Sequence, residues 1–156
     1  MATPRIEGTY RLVRRELPDG TVQHPPAVKG MTTFTRKYRN FSLVRKDDKG
    51  RYHSRCYVAR YTLTDREYSE TSDYLFINDQ IGGEGIRYDL SSTTAGSPVS
   101  IDGKRISFAL PQPFEKALSI TVEFDGGILK ATGKDLFIDF WEKVPEASVG
   151  KKSKAA

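Results

Sequence analysis

The stretch from Arg51 to Ile77 constrains the fold more tightly than any other part of the chain. It holds two long runs in which alternate positions are aromatic or apolar, joined by the polar turn Thr64-Asp65-Arg66-Glu67. A period of two marks a strand, because successive side chains leave a pleated backbone on opposite faces. Tyr57, Ala59, Tyr61 and Leu63 share one face of the first run, and Tyr68, Glu70, Ser72, Tyr74 and Phe76 share one face of the second. Folded together at the turn, the two faces make a tyrosine-lined wall carrying one carboxylate. A tyrosine ring is readily buried, but its hydroxyl then needs a partner, and Glu70 is placed to supply one. Such a wall suits a cavity better than a dry core.

The remaining segments repeat this strand-and-turn grammar. Ile6 to Arg14 alternates and stops at Pro18-Asp19-Gly20, a turn signal. Pro25-Pro26 removes two ladder donors, so Thr21 to Val28 reads as an edge crossing or an extended lid. Strands resume at Gly30 to Thr35 and Asn40 to Arg45, and Asp47-Asp48-Lys49-Gly50 turns into the central pair. The glycine-rich Asn78 to Gly85 lacks the Lys-Ser/Thr ending of a phosphate loop and precedes no amphipathic helix, so it reads as a connection. A strand at Ile86 to Leu90 and a polar loop at Ser91 to Pro98 follow. Val99 to Leu110 forms a hairpin on Asp102-Gly103, and Ala117 to Thr132 forms another on Asp125-Gly126-Gly127. In that second hairpin Leu118, Ile120, Val122 and Phe124 share a face, and Leu136 to Val144 is the last strand. No segment sustains a helical period for ten residues; Pro113 to Ile120 has room for one short turn. The pattern specifies an all-β fold, a closed or nearly closed antiparallel up-and-down β-barrel of about 8 to 10 strands. A barrel of that size encloses space for one small ligand.

At 156 residues the chain is expected to form one domain, residues 1–145, followed by a disordered basic tail at 146–156. The single cysteine, Cys56, cannot form an internal disulfide and reads as a strand residue. The opening Met1-Ala2-Thr3-Pro4-Arg5 carries no apolar leader, and no run approaches the ~18 apolar residues of a membrane span, so a cytoplasmic protein is expected. The net charge of +5 is polarised: residues 1–60 carry 14 Lys and Arg against 5 Asp and Glu, whereas residues 61–156 carry 11 against 15.

Several marks, in order and spacing, resemble the bacterial lipocalin-like domain proteins, relatives of the lipocalin and calycin barrels. They are Ile6-Glu7-Gly8-Thr9-Tyr10-Arg11-Leu12-Val13, the Gly30 to Phe34 strand, Tyr57 to Leu63 followed by Glu70, and Phe140-Trp141-Glu142-Lys143-Val144. Two positions depart from the pattern. Tyr10 stands where lipocalins carry tryptophan after the glycine, and Lys143 where the closing strand usually carries arginine. The resemblance implies that the first and last strands meet, with Lys143 covering the Tyr10 ring in a weak cation–π contact. It also implies that a small hydrophobic or amphipathic molecule binds inside the barrel.

On that reading Phe34, Tyr57, Tyr61, Tyr74, Phe108 and Trp141 line the cavity, and Glu70 with the tyrosine hydroxyls orients the ligand. The bland reading of each ring is core packing, and that of Glu70 a solvated strand position. A second class is a cofactor-independent cyclase or isomerase acting on a polyketide or terpenoid-type substrate, with Glu70 as acid or base and Tyr61 or a neighbouring tyrosine as hydrogen-bond donor. Asp139 offers a second carboxylate beside Trp141, though a surface position is the simpler reading. The two histidines, His24 and His53, have no metal-site spacing with Cys56 or each other. No metal or cofactor is expected. The basic run Arg36-Lys37-Tyr38-Arg39 with Phe41, Arg45 and Lys46 raises single-stranded nucleic acid as a partner, but a solvated hairpin end is the simpler account. An intermediate reading puts these cations at the barrel mouth, where they attract an anionic ligand.

Overall fold

The computed structural model describes residues 4–112, 114–115 and 118–146. All but the first residue of the expected tail, and Pro113, Lys116 and Ala117 of the expected short turn, lie outside the described residues. Among the described residues there are twelve strands and no helix: β1 (Gly8–Glu16), β2 (Val22–Gln23), β3 (Val28–Phe34), β4 (Tyr38–Lys46), β5 (Tyr52–Leu63), β6 (Glu67–Asp79), β7 (Gly85–Asp89), β8 (Thr94–Asp102), β9 (Arg105–Leu110), β10 (Ile120–Asp125), β11 (Ile128–Gly133) and β12 (Phe137–Lys143). Consequently, among the described residues, no helix is long and apolar enough to cross a membrane.

Ten strands close a ring in the order β1-β3-β4-β5-β6-β8-β9-β10-β11-β12, with β12 pairing back onto β1. This is the expected antiparallel up-and-down barrel, whose closure leaves no free edge on the ring. β2 pairs with the end of β1 as a short edge, and Pro25-Pro26 follows it on the way to β3. β6 is long enough to serve two partners: its first half pairs with β8 and its second with β7. Pro98 lies within β8, opposite Glu67, so the polar loop expected up to Pro98 is partly strand.

Two register shifts decide which residues point inward. The first falls between Leu12 and Arg14 of β1, the second opposite Val58 and Ala59, where β6 carries the extra residue Asp73. A bulge of this kind reverses the alternation beyond it. Tyr10 and Leu12 are buried before the first bulge, and Arg15 rather than Arg14 is buried after it. Tyr68, Glu70 and Ser72 are buried before the second, and Leu75 and Ile77 after it.

The interior is divided along the barrel axis. At the end carrying the β3–β4, β5–β6 and β10–β11 turns, Tyr10, Phe34, Tyr61, Tyr68, Phe108 and Phe124 fill the section. Their rings meet edge-on or stacked at centroid separations from 4.2 Å for Tyr68–Phe108 to 6.3 Å for Tyr10–Phe34. Tyr10 and Lys143 are register partners, as strand closure requires, but the cation–π contact expected between them is replaced. Tyr10 faces inward and donates to the Ile6 carbonyl, 3.1 Å away, while exposed Lys143 lies across Gly8. The cations over rings on this seam are Arg14, 3.8 Å from the Phe140 centroid, and Arg15 over Phe137.

Candidate functional site

Beyond the aromatic section the barrel is hollow. A cavity of about 580 Å³ runs from Phe34, Thr32 and Tyr57 past Phe41, Leu43, Leu75, Ile77, Val122, Leu129 and Trp141 to the rim formed by the β6–β7, β9–β10 and β11–β12 connections. Small residues make the room. A Cβ on Gly30 would stand 2.7 Å from the Trp141 ring, so the glycine lets that ring approach β3 closely. Ala131 and Thr32 keep two further wall positions short.

The floor is an ion pair with two phenols. Arg39 Nε donates to Glu70 Oε1 at 2.7 Å, the Tyr68 hydroxyl donates to the same oxygen at 2.6 Å, and the Tyr57 hydroxyl donates to Oε2 at 2.7 Å. The Arg39 guanidinium also lies 4.8 Å from the Tyr57 ring centre. Arg39, Glu70 and Tyr68 are all buried. A buried carboxylate is costly unless its lone pairs are used, and here three donors use them. Burial pushes the Tyr57 and Tyr68 phenols well above their ordinary range; the Glu70 charge and its acceptance of their protons add to this, and Arg39 opposes it.

A second buried pair stands on the opposite wall. Arg15 Nε and Nη2 donate to Asp139 Oδ1 and Oδ2 at 2.7 and 2.8 Å, a two-pronged match of guanidinium to carboxylate. The Arg15 guanidinium also sits 4.1 Å from the Phe137 ring centre. Burial raises the Asp139 carboxyl above its ordinary value, with Arg15 pulling the other way. Asp139 is therefore interior, not a surface position. Its alternation with Trp141 was the available signal. Arg15 had none, because the bulge that turns it inward is not written in any period-two pattern.

Nearer the rim, Asp79 accepts from His53 Nδ1 at 3.0 Å and from the Gly82 amide at 2.8 Å. Glu115, in the connection after β9, pairs with Arg55 and lies 3.6 Å from Arg87 on β7. Phe114 beside it packs edge-on against Tyr57 at 5.9 Å. Arg45 lines the same wall, directly opposite His53 in the β4–β5 register, and has no carboxylate within 4.0 Å among the described residues.

The residues expected from the sequence are spread over four places. Phe34, Tyr57 and Trp141 border the cavity. Tyr61 and Phe108 belong to the aromatic section beneath it, where the Tyr61 hydroxyl donates to the Thr35 carbonyl. Glu70 lies behind Arg39 and Tyr57 and is not itself on the cavity wall. The assignment of Tyr74 to the wall is corrected: the Asp73 bulge reverses the alternation, so Tyr74 is 41 % exposed on the outer face while its neighbour Leu75 faces the cavity. Phe76 turns outward for the same reason and meets Tyr88 of β7 at 5.1 Å. The basic run is likewise divided. Arg36, Lys37 and Lys46 are exposed, whereas Arg39, Phe41 and Arg45 alternate onto the inner face of β4. Among the described residues no cluster of three potential metal ligands is present.

Comparisons of the chain with protein-family models, with curated proteins and with solved structures return no match. The barrel is consistent with a calycin-like or lipocalin-like fold, and the chemistry of the site rests on its own geometry.

Proposed function

We propose that the protein binds a small hydrophobic or amphipathic molecule inside the barrel. The observation that carries this reading is the void of about 580 Å³ above a fully packed aromatic section. Core interiors normally close to crystal-like density, so a space of this size beside well-packed rings is retained against the tendency to collapse. Its size lies within the range of small-molecule sites, and its walls combine apolar side chains with a few oriented polar groups.

The Arg39–Glu70 pair supports a carrier over an acid-base enzyme. Glu70 already accepts from Arg39, Tyr57 and Tyr68, and it reaches the cavity only through them. Its role on this reading is to position Arg39 and Tyr57, which do face the ligand space. Proton transfer to a bound substrate would first require breaking one of those bonds.

Trp141 is the only tryptophan and lines the cavity, so its emission reports occupancy. Titration with dodecanol, a neutral apolar probe, is expected to change Trp141 fluorescence saturably and to raise the melting temperature with probe concentration. Ala131→Phe, which places a ring into the cavity from the strand next to Trp141, should weaken both effects while leaving the circular dichroism spectrum unchanged. If dodecanol left both emission and melting temperature unchanged up to its solubility limit, the cavity would not be a binding site.

A further inference from the structure

The wall contributed by β4 presents Arg39, Phe41, Leu43 and Arg45 in that order along its inner face. At about 3.3 Å per residue the two arginines stand roughly 20 Å apart, with the apolar pair between them. They differ in one respect that matters for recognition. Arg39 is sealed against Glu70 at 2.7 Å, whereas Arg45, half-buried at the mouth, faces the cavity without a counter-ion within 4.0 Å among the described residues.

The surrounding charges set Arg45 apart. Arg15 is committed to Asp139, and Arg55 and Arg87 share the single carboxylate of Glu115. Asp79, the nearest acid in register terms, is engaged by His53 and the Gly82 amide, and Glu84 is exposed on the rim with no cation within 4.0 Å among the described residues. Burial lowers the affinity of Arg45 for its proton, and the charges of Arg15 and Arg55 act in the same direction against a smaller opposing pull from Asp79 and Asp47. A half-buried guanidinium among other cations is relieved by an anion, and its planar fork matches a carboxylate.

Resting on the binding function proposed above, we infer that the ligand is a carboxylate-bearing amphiphile, its head group held by Arg45 at the mouth and its apolar tail lying between Phe41, Leu43, Leu75, Ile77 and Trp141. One guanidinium without a carboxylate partner among the described residues calls for a single negative charge. The tail then points toward the aromatic section, where no further charge is required.

A matched pair of probes tests this, with the intact chain and Trp141 emission as the readout. Dodecanoate should bind about tenfold more tightly than dodecanol, consistent with one charge-assisted hydrogen-bonded contact. Arg45→Gln should remove that preference by bringing dodecanoate affinity down to that of dodecanol, while Arg45→Lys should keep part of it. Raising the salt concentration should narrow the gap only modestly, because the contact is half-buried. Equal affinity of the wild type for both probes, or a preference that survives Arg45→Gln, would overturn the head-group assignment while leaving the cavity reading intact. Binding of neither probe would overturn the cavity reading instead.

Discussion

The two ends of the barrel are built from similar strands and solve different problems. At the closed end every large side chain is answered by another from the same chain. Rings stack or meet edge-on, and each buried hydroxyl has an acceptor: Tyr10 at Ile6, Tyr61 at Thr35, Tyr68 at Glu70. At the open end the walls are as apolar, but they do not touch across the space, and the charged groups above them are only partly matched to one another. Complementarity is internal at one end and left incomplete at the other. The difference teaches where to look for function, since a chain that packs six aromatic rings against each other has the means to fill its whole interior.

The sharpest way to break this contrast is to truncate one large side chain at each end. Phe124→Ala in the closed section should cost about 4 kcal/mol, the sum of lost transfer energy and an unfilled cavity. Leu75→Ala on the cavity wall should cost nearer 2 kcal/mol, because Leu75 already borders a void and has fewer contacts to lose. Chemical denaturation measures both, and equal losses would mean that the open end is packed as densely as the closed one.

The two buried ion pairs extend the comparison. Glu70→Gln leaves the Arg39 charge buried beside a neutral amide and should cost about 3 kcal/mol. Asp139→Asn should cost less than Glu70→Gln, since burial already raises the Asp139 carboxyl toward its neutral form and only Arg15 holds it ionised. A reversed order of the two would place the stronger electrostatic anchor at the mouth.

Alkaline titration separates the ends by a different property. Burial holds the Tyr61 phenol up to about 12, with smaller contributions from Glu7 and Tyr10, and Tyr10, Tyr57 and Tyr68 are raised as well, all four mainly by burial. An unfolded tyrosine loses its proton near pH 10 and folded Tyr61 does not. The stabilisation is therefore complete below about pH 10 and declines as pH rises toward 12, by about 2 to 3 kcal/mol from Tyr61 alone. Ultraviolet tyrosinate absorbance should rise in two phases, the second coinciding with loss of circular dichroism signal. A single phase with the fold retained would mean that water reaches the closed end.

How much of this was legible follows from where the chain keeps a strict period of two. β5 does so without interruption, and its inner face, with Tyr57, Ala59 and Tyr61, is the one read from the sequence. β10 does too, and Val122 and Phe124 are buried as expected. β1 and β6 each carry a bulge, and beyond these Arg15 was invisible and Tyr74 and Phe76 were placed inside. Asp139, on unbulged β12, was instead read as a surface position because a carboxylate is rarely buried without a partner. Glu70 precedes the bulge, so its burial could be read, but its partner Arg39 could not. That arginine sits in a basic run whose composition suggested a solvated surface, and only the alternation along β4 separates it from Lys37 and Tyr38. The mouth was the least legible region, because it is assembled from several strands and three connections that share no local pattern.

The smallest expected effect tests whether the open end trades stability for recognition. Asp79 is held below the ordinary carboxylate range, first by its hydrogen bond from His53 and then by the Gly82 amide. A lowered carboxyl contributes stability above about pH 4 and loses it as pH falls through the depressed folded value. The group lies at the rim, where solvent screens it, so the contribution at neutral pH should be about 0.5 kcal/mol. Asp79→Asn should lower stability by that amount and flatten the acid limb of the stability curve. The same change removes an acid that partly offsets the Arg45 charge, so dodecanoate should bind about threefold more tightly and dodecanol no differently. A variant that lost both stability and dodecanoate affinity would show that Asp79 holds the mouth in shape, and the contrast between an internally matched end and an open one would then rest on packing alone.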